Sequence, residues 1–268
     1  MLENSVAYNM DCQDGLKTIS SDTIDLTVTS PPYDGIRTYN GFSFDWKVVL
    51  SELYRVTKQG GTVVWIVSDQ TKDGCESGTS FRQALYAMEV GFNLHDTMIW
   101  EKDSCAFPEA TRYYPIFEYM FVFAKGKQKT FNPLADRKNL WGGARVHGTF
   151  RQADGSLKER SSTWKETICK EYGVRFNVWH IPCEKKNTTG HPAVFPYNLA
   201  RDHILSWSNE GDLVLDPFLG SGTTRIACHD YGRRFIGFEI SKEYFEAQEK
   251  RFEKHISQLN LFAEEYFS

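Results

Sequence analysis

Two short stretches, far apart in the chain, carry the residues best suited to chemistry. The first is Thr29-Ser30-Pro31-Pro32-Tyr33, which follows the apolar, β-rich run Ile24–Val28. Neither proline has an N–H group to donate, so the pair ends strand pairing and holds its carbonyl groups in a stiff, extended conformation. The stretch therefore forms a rigid group of hydrogen-bond acceptors beside one aromatic ring. Such a group suits a planar ligand that carries an amino group on its edge.

The second stretch runs from Leu213 to Thr224 and reads Leu-Val-Leu-Asp-Pro-Phe-Leu-Gly-Ser-Gly-Thr-Thr. An apolar strand enters a glycine-rich turn, and a helix is predicted from Thr223 to Tyr231. Glycines let the backbone approach a ligand closely, and a helix N-terminus offers unpaired N–H groups. A further strand ends at Glu239, and an acid about 20 residues after such a turn accepts ribose hydroxyls in dinucleotide sites. This half of the chain therefore predicts a site for a nucleoside-containing cofactor.

Together these stretches resemble the motifs of the DNA amino-methyltransferases, which use S-adenosylmethionine (AdoMet). In that family Ser-Pro-Pro-Tyr or Asp-Pro-Pro-Tyr is the catalytic motif, and Asp-Pro-Phe-x-Gly-Ser-Gly-Thr-Thr is the cofactor motif. Here the catalytic motif comes first, which is the order of the permuted β class, and the resemblance covers residues 5 to 245. It implies a cytoplasmic, nucleoid-associated enzyme that acts on double-stranded DNA in a restriction-modification setting, where a cognate restriction endonuclease is a separate protein.

The resemblance assigns the chemistry to four residues, Ser30, Pro31, Pro32 and Tyr33. An exocyclic base amine is a poor nucleophile, and acceptors aimed at its hydrogens free its lone pair and stabilise the positive charge that grows on the nitrogen. We expect the Ser30 hydroxyl and the Pro31 carbonyl to accept these hydrogens and Tyr33 to stack on the base. A base inside a duplex cannot reach this site, so we expect it to flip out, at a cost on the order of a few kcal/mol.

The serine of the catalytic motif bears on which base is methylated. In the family Ser-Pro-Pro-Tyr accompanies cytosine N4 most often, whereas Asp-Pro-Pro-Tyr accompanies adenine N6. The correlation has exceptions, and a hydroxyl group can serve either amine. The favoured prediction is methyl transfer to the exocyclic N4 of a flipped cytosine, with adenine N6 as the alternative.

The predicted cofactor site draws on two further segments. Asp11, with Cys12 beside it, follows the first predicted strand, and in the family an acid here lies near the cofactor adenine; a helix N-cap is an equally good role for this aspartate. Phe195 belongs to a His-Pro-x-x-Phe-Pro stretch, which in the family borders the methionine part of the cofactor. The complete predicted set is Asp11, Cys12, Phe195, Asp216, Pro217, Phe218, Gly220, Ser221, Gly222, Thr223 and Glu239.

Charge is distributed unevenly along the chain, whose formal net charge is −4. Residues 125–186 contain 14 Lys and Arg against 6 Asp and Glu, a net charge of +8. Basic side chains bind phosphates and supply affinity for DNA without distinguishing one base sequence from another. In the family, a target-recognition region is inserted at this point of the chain. A solvated, lysine-rich loop is the plainer interpretation. The predicted contacts with substrate or DNA are Arg37, Tyr39, Arg112 and Arg145.

Seven stretches have the composition of strands, and helical spacing separates most of them. The strands are predicted near residues 6–10, 25–29, 62–67, 94–100, 117–123, 213–216 and 235–239. This alternation predicts an α/β fold with a mostly parallel sheet that binds ligands at the carboxyl ends of its strands. The resemblance implies the seven-stranded, Rossmann-like three-layer sandwich of AdoMet-dependent methyltransferases. It divides the chain into a catalytic half (1–125), a target-recognition region (126–186) and an AdoMet-binding half with a C-terminal helix (187–268), the two halves forming one domain.

Composition excludes several classes of protein. No apolar run approaches membrane-spanning length, and the N-terminus shows no secretory signal. Six cysteines at irregular spacing, with no Cys-x-x-Cys pair, indicate reduced intracellular thiols rather than a disulfide frame or a zinc site. No metal site is predicted.

Three other interpretations are weaker. A cytosine-C5 enzyme needs a nucleophilic thiolate, but Pro182-Cys183 lies after the basic segment, and we interpret Cys183 as structural. A phosphate-binding loop places a lysine just before its Ser or Thr, where this chain has Gly222 or Thr223. A non-catalytic DNA-binding subunit with a degenerate fold is opposed by the intact motif residues.

Overall fold

The computed structural model describes residues 5–32, 44–105, 110–146, 148–159, 167–184 and 194–267, with side chains as far as residue 258. Cα packing divides the chain into a larger unit, Met1–Asn132 with Asn177–Ser268, and a smaller unit, Pro133–Phe176. The smaller unit falls inside residues 126–186, the predicted target-recognition region. Its role in target recognition stays a prediction.

Fourteen strands and six helices occur among the described residues. The strands are β1 (Ser5–Asn9), β2 (Ile24–Thr29), β3 (Thr57–Val67), β4 (Thr71–Lys72), β5 (Cys75–Glu76), β6 (Asn93–Glu101), β7 (Phe117–Ala124), β8 (Arg137–Lys138), β9 (Thr149–Arg151), β10 (Leu157–Glu159), β11 (Tyr172–Gly173), β12 (Val178–His180), β13 (Leu213–Asp216) and β14 (Arg234–Glu239). The helices are α1 (Cys12–Thr18), α2 (Trp46–Val56), α3 (Thr79–Val90), α4 (Tyr197–Trp207), α5 (Thr223–Asp230) and α6 (Lys242–Phe267).

Eight strands of the larger unit form one sheet, in the order β1-β14-β13-β2-β3-β7-β6-β12. β7 runs antiparallel to both of its neighbours, and the other neighbouring strands pair in parallel. The predicted α/β fold with a mostly parallel sheet is confirmed, and all seven predicted strands are present. The eighth strand, β12, has only three residues, which is too short for a periodic pattern in the sequence.

Both faces of this sheet are covered. Side chains alternate between the two faces along a strand, and in β3 both sets are fully buried, with Val63 and Trp65 on one face and Val64 and Ile66 on the other. The first pair belongs to a core that also contains buried side chains of α1, α2 and α3. α4 packs against β2 and α5. Burial on both faces explains why the strands are nearly continuous apolar runs in the sequence.

The local sequence of α2 shows how a helix is fixed against this sheet. Asp45 precedes the helix, and its carboxylate accepts a hydrogen bond from the Lys47 N–H at 2.9 Å, which caps the first turn. One face of the helix is buried, and its residues recur at helical spacing: Val49, Leu50, Leu53 and Val56. Burial of each such side chain contributes on the order of 2 kcal/mol, so the helix is held firmly against β3, the neighbour of the strand that leads into the catalytic motif.

Two segments contain strands that are not among the seven predicted ones. Residues 68–79, a polar stretch of the sequence, contain the hairpin β4–β5. The basic segment contains the antiparallel pairs β8–β11 and β9–β10. The physical reason is the same in both places, because strands of two or three residues show no alternation that pattern analysis can detect.

Two further findings concern membranes and metals. None of the helices in the described ranges is both long and apolar enough to cross a membrane. Within the same ranges, no group of three or more His, Cys, Asp or Glu side chains is placed to hold a metal ion.

Candidate active site

The catalytic and cofactor stretches lie side by side in the sheet. β2 and β13 are neighbours, with Val214 paired to Leu26 and Leu215 paired to Thr27. β14 pairs with the other side of β13, and β1 pairs with β14. Because these four strands are parallel, their carboxyl ends meet at one edge of the sheet. This edge collects the residues that end or follow the strands, namely Asp11, Ser30, Pro31, Pro32, Asp216–Gly222 and Glu239.

A buried hydrogen bond joins the two stretches. The Thr29 hydroxyl donates to Asp216 Oδ1 at 2.7 Å, and both residues are buried. The same oxygen accepts the Phe218 N–H at 3.1 Å. Burial raises the pKa of Asp216 to about 6, and the hydrogen bonds, led by the one from Thr29, oppose that rise. Asp216 therefore fixes the glycine-rich turn to the catalytic strand, while its predicted contact with the cofactor stays a prediction.

Replacing Thr29 with valine keeps the shape of the side chain and removes the hydroxyl donor. We expect the free energy of unfolding at pH 7 to fall by about 1–3 kcal/mol, the cost of withdrawing a partner from a buried polar group. The pKa of Asp216 rises further in this variant, because the lost hydrogen bond favours the charged form. The loss is therefore larger at pH 8 than at pH 5, where the carboxyl group is largely protonated in both proteins. Denaturant unfolding at the two pH values measures the difference.

Thr27, two residues earlier on the same strand, offers a matched control. Its side chain is fully buried, and its hydroxyl has no hydrogen-bond partner among the residues that the structure describes. Thr27→Val therefore removes an uncompensated polar atom, and stability is expected to stay the same or to rise. An equal, pH-independent loss in both variants would show that Thr29 acts only by filling space.

Glu239 ends β14 with a carboxylate whose two oxygens are oriented by the backbone. The Gly220 N–H donates to Oε2 at 2.9 Å, and the Ser241 N–H donates to Oε1 at 2.8 Å. The residue is 8% exposed; burial raises the pKa of its carboxyl group, whereas the two backbone hydrogen bonds lower it. Each oxygen retains acceptor capacity, so the carboxylate has the acceptors that two ribose hydroxyls require.

The glycine-rich turn passes close to this carboxylate. The Leu219 N–H donates to the Phe238 carbonyl at 2.9 Å, which sets the turn beside the end of β14. Gly222 has a φ of +76°, and a Cβ atom there would lie 3.0 Å from Oε1 and 3.1 Å from Cβ of Gln248. Glycine therefore permits the tight turn before α5. As the N-cap of α5, Gly222 offers no side-chain acceptor to the N–H groups of the first helical turn.

Arg251, on α6, also contacts the turn and is not identifiable from the sequence. Its guanidinium donates to the Ser221 carbonyl at 2.7 Å and to Thr223 Oγ1 at 3.0 Å, and burial lowers the pKa of Arg251. The hydroxyl oxygens of Ser221 and Thr223 lie 3.2 Å apart. Amphipathic spacing predicts α6 but distinguishes no single arginine on it. The predicted contacts of Ser221 and Thr223 with the cofactor stay predictions beside these roles within the protein.

Asp11 lies next to the Glu239 end of the edge and caps α1. The Met10 N–H donates to the Glu239 carbonyl at 3.0 Å, and Asp11 Oδ1 accepts the Gln13 N–H at 2.7 Å. The N-cap role is confirmed, and the contact with adenine stays a prediction. Cys12 is buried, which raises the pKa of its thiol to about 12. The thiol is therefore protonated at neutral pH and is suited to packing rather than to nucleophilic attack.

The catalytic motif is described as far as Pro32. Ser30 and Pro32 are half-buried, and Pro31 is buried directly after Thr29. Three predicted site residues lie outside the described ranges, namely Tyr33, Arg37 and Tyr39.

Aromatic rings lie at the start of the cofactor turn. Phe218 is half-buried, and its ring centroid is 4.8 Å from that of Phe44 and 6.3 Å from that of Trp65, both in edge-on arrangements. Pro217 is buried, and Phe195 is half-buried just before α4. The predicted contacts of these three residues with the cofactor stay predictions. The rings give this part of the edge a rigid apolar wall.

The two described arginines among the predicted DNA contacts have different surroundings. The Arg112 guanidinium donates to Thr71 Oγ1 at 3.1 Å, to the Gly74 carbonyl at 2.5 Å and to Glu76 Oε1 at 3.4 Å. It therefore holds the β4–β5 hairpin, a role that the sequence does not reveal. Arg145 lies in the smaller unit with an exposed side chain. A contact with DNA stays a prediction for both.

The environment of Cys183 favours a structural role. Burial raises the pKa of its thiol, whereas a nucleophilic cysteine needs a lowered pKa. Its backbone N–H donates to Asp103 Oδ1 at 3.0 Å. The cytosine-C5 mechanism therefore gains no support from this residue.

Comparison with known sequences agrees with the geometry. The family model described as DNA methylase matches residues 24–250. The orphan methyltransferase M.BamHII of Bacillus amyloliquefaciens is 56% identical over 248 residues, which cover 90% of this chain and 92% of the relative.

Two solved structures are similar in fold. The cytosine-N4-specific PvuII DNA methyltransferase has a TM-score of 0.69 at 21% identity, covering 96% of this chain and 92% of its own. The complex of M1.HpyAVI with SAM has a TM-score of 0.60 at 24% identity, covering 92% of this chain and 99% of its own. At these identities the structures support the fold alone. The family model and the M.BamHII relative span most of the chain, and the chain therefore belongs to the DNA methylase family.

Proposed function

We propose that this protein transfers a methyl group from AdoMet to the exocyclic N4 of a flipped cytosine in double-stranded DNA. One observation carries the proposal, the 2.7 Å hydrogen bond from the Thr29 hydroxyl to Asp216. It joins the strand that leads into Ser30-Pro31-Pro32 to the strand that enters the glycine-rich turn. Acceptors for an amine and a site for a nucleoside cofactor are thereby held together at one sheet edge.

The residues of this edge fit AdoMet. Glu239 has carboxylate oxygens oriented for ribose hydroxyls, and the turn at Gly222 brings backbone N–H groups to the same place. When bound, AdoMet supplies an electrophilic methyl group on a sulfonium centre. Its site adjoins the Ser30-Pro31 acceptors, and alignment of two reactants in this way supplies much of the acceleration in bimolecular reactions.

Ser30 and Pro31 prepare the amine for reaction. The hydroxyl oxygen of Ser30 and the carbonyl oxygen of Pro31 accept hydrogen bonds from the N–H groups of the amine. These hydrogen bonds draw the nitrogen toward tetrahedral geometry and release its lone pair from the ring. The bond from the methyl group to sulfur would break as the bond to nitrogen forms, and the nitrogen gains positive charge, which these preorganised acceptors stabilise without reorganising. Loss of one N–H proton to water would then give the neutral methylated base. Tyr33 stacks on the face of the flipped base.

Ser30 also supports cytosine over adenine. Ser-Pro-Pro-Tyr is the form of the motif that goes most often with cytosine N4 in the family that this chain resembles. The name of the PvuII enzyme, cytosine-N4-specific, points in the same direction. Adenine N6 is the alternative, because a hydroxyl group accepts a hydrogen bond from either amine.

The smaller unit is suited to binding the DNA backbone. Residues 133–176 contain 9 Lys and Arg against 5 Asp and Glu, a net charge of +4, while the rest of the chain carries −8. We assign target recognition to the segment 126–186, with Arg145 as a phosphate contact, between the catalytic half 1–125 and the AdoMet-binding half 187–268. The enzyme acts on DNA of the nucleoid in the cytoplasm. Methyl transfer needs no cognate endonuclease, and the M.BamHII relative is itself named an orphan methyltransferase.

Nucleoside mass spectrometry tests the proposal. The protein is expressed in a host without DNA methylation, and the genomic DNA is digested to nucleosides. We expect N4-methylcytosine, which is absent when Glu239→Gln is expressed instead. N6-methyladenine would keep the mechanism and reject the choice of base. Neither product, from protein that binds AdoMet, would reject DNA as the acceptor, and neither product without AdoMet binding would favour a non-catalytic DNA-binding protein.

A further inference from the structure

The smaller unit contains an antiparallel ribbon that is interrupted by a bulge. β8 pairs with β11, and further along the same two chain segments Arg145 forms a bridge with Ile168. Between these two pairings lies Asn139–Ala144, here called the bulge. It projects from the ribbon on one strand only.

The backbone of the bulge is held in one conformation. Turn hydrogen bonds close it internally, and others tie both of its ends to the opposite segment of the ribbon. These bonds are Gly142 N–H to Asn139 O at 3.2 Å, Ala144 N–H to Trp141 O at 3.0 Å, Asn139 N–H to Glu171 O at 2.9 Å, Gly143 N–H to Cys169 O at 2.9 Å and Cys169 N–H to Ala144 O at 2.8 Å. The Asn139 side-chain amide adds a bond to the Lys170 carbonyl at 2.8 Å. A loop bonded in this way presents its side chains in fixed positions.

The two large side chains at the tip of the bulge are almost completely exposed. Leu140 is 96% exposed and Trp141 is 75% exposed. A leucine and a tryptophan on a fixed backbone contribute little to folding when water surrounds them. Contiguous apolar side chains exposed in this way mark a contact surface.

The sequence also specifies the shape of the bulge. A Cβ atom on Gly142 would lie 2.9 Å from the Glu171 Cα atom, so any other residue would push the tip away from the ribbon. Glycine at this position allows the two segments to approach closely while Leu140 and Trp141 stay outside. The two side chains are therefore exposed because the close approach at Gly142 fixes the shape of the bulge, and not because the loop lacks a defined conformation.

The charges around the bulge favour a polyanion as its partner. Lys138 and Arg145 flank the bulge along the chain, Lys170 and one acid, Glu171, lie opposite, and all four side chains are exposed. The net charge of +4 on this unit contrasts with −8 on the rest of the chain. An apolar tip within an excess of cations matches DNA, whose bases stack on aromatic rings and whose phosphates attract basic side chains. The acidic part of a second copy of this chain would match the cations, but DNA also offers bases on which the ring can stack.

We propose that the bulge is an apolar wedge that enters the DNA duplex, with Trp141 stacking on a base of the recognition sequence. The inference rests on the proposed function, because the duplex that the ring enters is the substrate of methyl transfer. Apolar wedges of this kind stabilise locally unstacked DNA in other proteins. Trp141 is thus a positioning residue for methylation, and Leu140 widens the wedge.

Trp141→Ala and Trp141→Phe test the wedge on a duplex that contains the methylation site mapped from the wild-type protein's own products. We expect Trp141→Ala to raise KM for DNA by about 10- to 100-fold, the range that loss of one base–aromatic stack predicts. A 2-aminopurine substituted for the base on which Trp141 stacks is quenched by the ring in the wild-type complex, so its fluorescence rises in Trp141→Ala. Trp141→Phe keeps a ring and restores most of the wild-type KM and quenching. The Kd for AdoMet stays at the wild-type value, because the cofactor residues are untouched.

Leu157 provides the matched control, since it is 64% exposed on β10 of the same unit but lies outside the bulge. Leu157→Ala leaves KM for DNA and the 2-aminopurine signal unchanged. If wild-type protein methylates DNA while Trp141→Ala matches it in KM and fluorescence, the wedge is rejected and the proposed function stands. If Trp141→Ala instead changes only the oligomeric mass, the bulge is a protein contact, which also overturns the inference. Wild-type protein that methylates no DNA refutes the proposed function and the wedge together.

Discussion

Ser30→Ala lowers kcat for DNA methylation by about 100- to 1,000-fold, the range found when one preorganised polar group is removed from a transition state. Ser30 is half-buried at the carboxyl end of β2, and in the proposed mechanism its hydroxyl oxygen accepts a hydrogen bond from the reacting amine. The need for this acceptor is greatest when charge develops on the nitrogen, so kcat falls more than DNA affinity. Single-turnover methylation with excess enzyme measures the effect on chemistry directly.

Two comparisons separate a chemical role of Ser30 from a structural one. The Kd for AdoMet and the free energy of unfolding stay near wild type in Ser30→Ala, and Ser30→Thr, which retains a hydroxyl group, recovers part of the rate. A rate close to wild type in Ser30→Ala would remove this residue from the mechanism and leave the Pro31 carbonyl as the amine acceptor.

Glu239→Gln weakens AdoMet binding by about 100-fold or more. Hydrogen bonds to a charged acceptor contribute about 1.5–3 kcal/mol each, and in the proposed site the carboxylate offers one oxygen to each ribose hydroxyl. An amide replaces one of these oxygens with a donor, which then faces the backbone N–H of either Gly220 or Ser241. Calorimetric titration with AdoMet gives the Kd. Glu243→Gln, on the exposed first turn of α6, is the control and binds AdoMet like the wild type.

The pH dependence gives Glu239 an independent test. Burial raises the pKa of this carboxyl group, so protonation, and with it the loss of an acceptor, begins at a higher pH than for an ordinary glutamate. AdoMet affinity of the wild type therefore declines as the pH falls through that raised pKa. Affinity of Glu239→Gln declines less over the same range, because Asp216 still titrates there but the carboxyl group of residue 239 is gone. Parallel pH profiles for the two proteins would exclude the assigned role.

The elements that form this edge are predictable because their sequence signals are local. β2 and β13 are apolar runs that end in residues unable to continue a strand, two prolines in one case and a glycine-rich turn in the other. An acid at the end of β14, spaced as in nucleoside sites, identifies Glu239 without reference to the rest of the chain. The N-cap role of Asp11 is predictable for the same reason, because an N-cap depends only on the next few residues of the chain.

The contacts that complete the site are not predictable in this way. The bond between Thr29 and Asp216 depends on which strands are neighbours, and strand order leaves no trace in periodicity. Arg251 reaches the turn from a helix whose pattern reveals its apolar face but not the partner of one cation. Arg112 is predicted to contact substrate or DNA, which stays a prediction, and its bonds to the β4–β5 hairpin are a further role that the sequence does not reveal, because that hairpin is too short to predict.

The order of strands in the sheet has a consequence for how the protein is made. β3 follows β2 closely in the chain, but Asp216, the partner of Thr29, is translated 187 residues later. At about 5–20 residues per second, one edge of β2 stays unpaired on the ribosome for roughly 10–40 s. An unpaired apolar strand edge is a template for pairing with other chains. We therefore expect the nascent polypeptide to depend on chaperones, and co-expression of chaperones to raise the soluble yield more than any mutation that stabilises the finished fold.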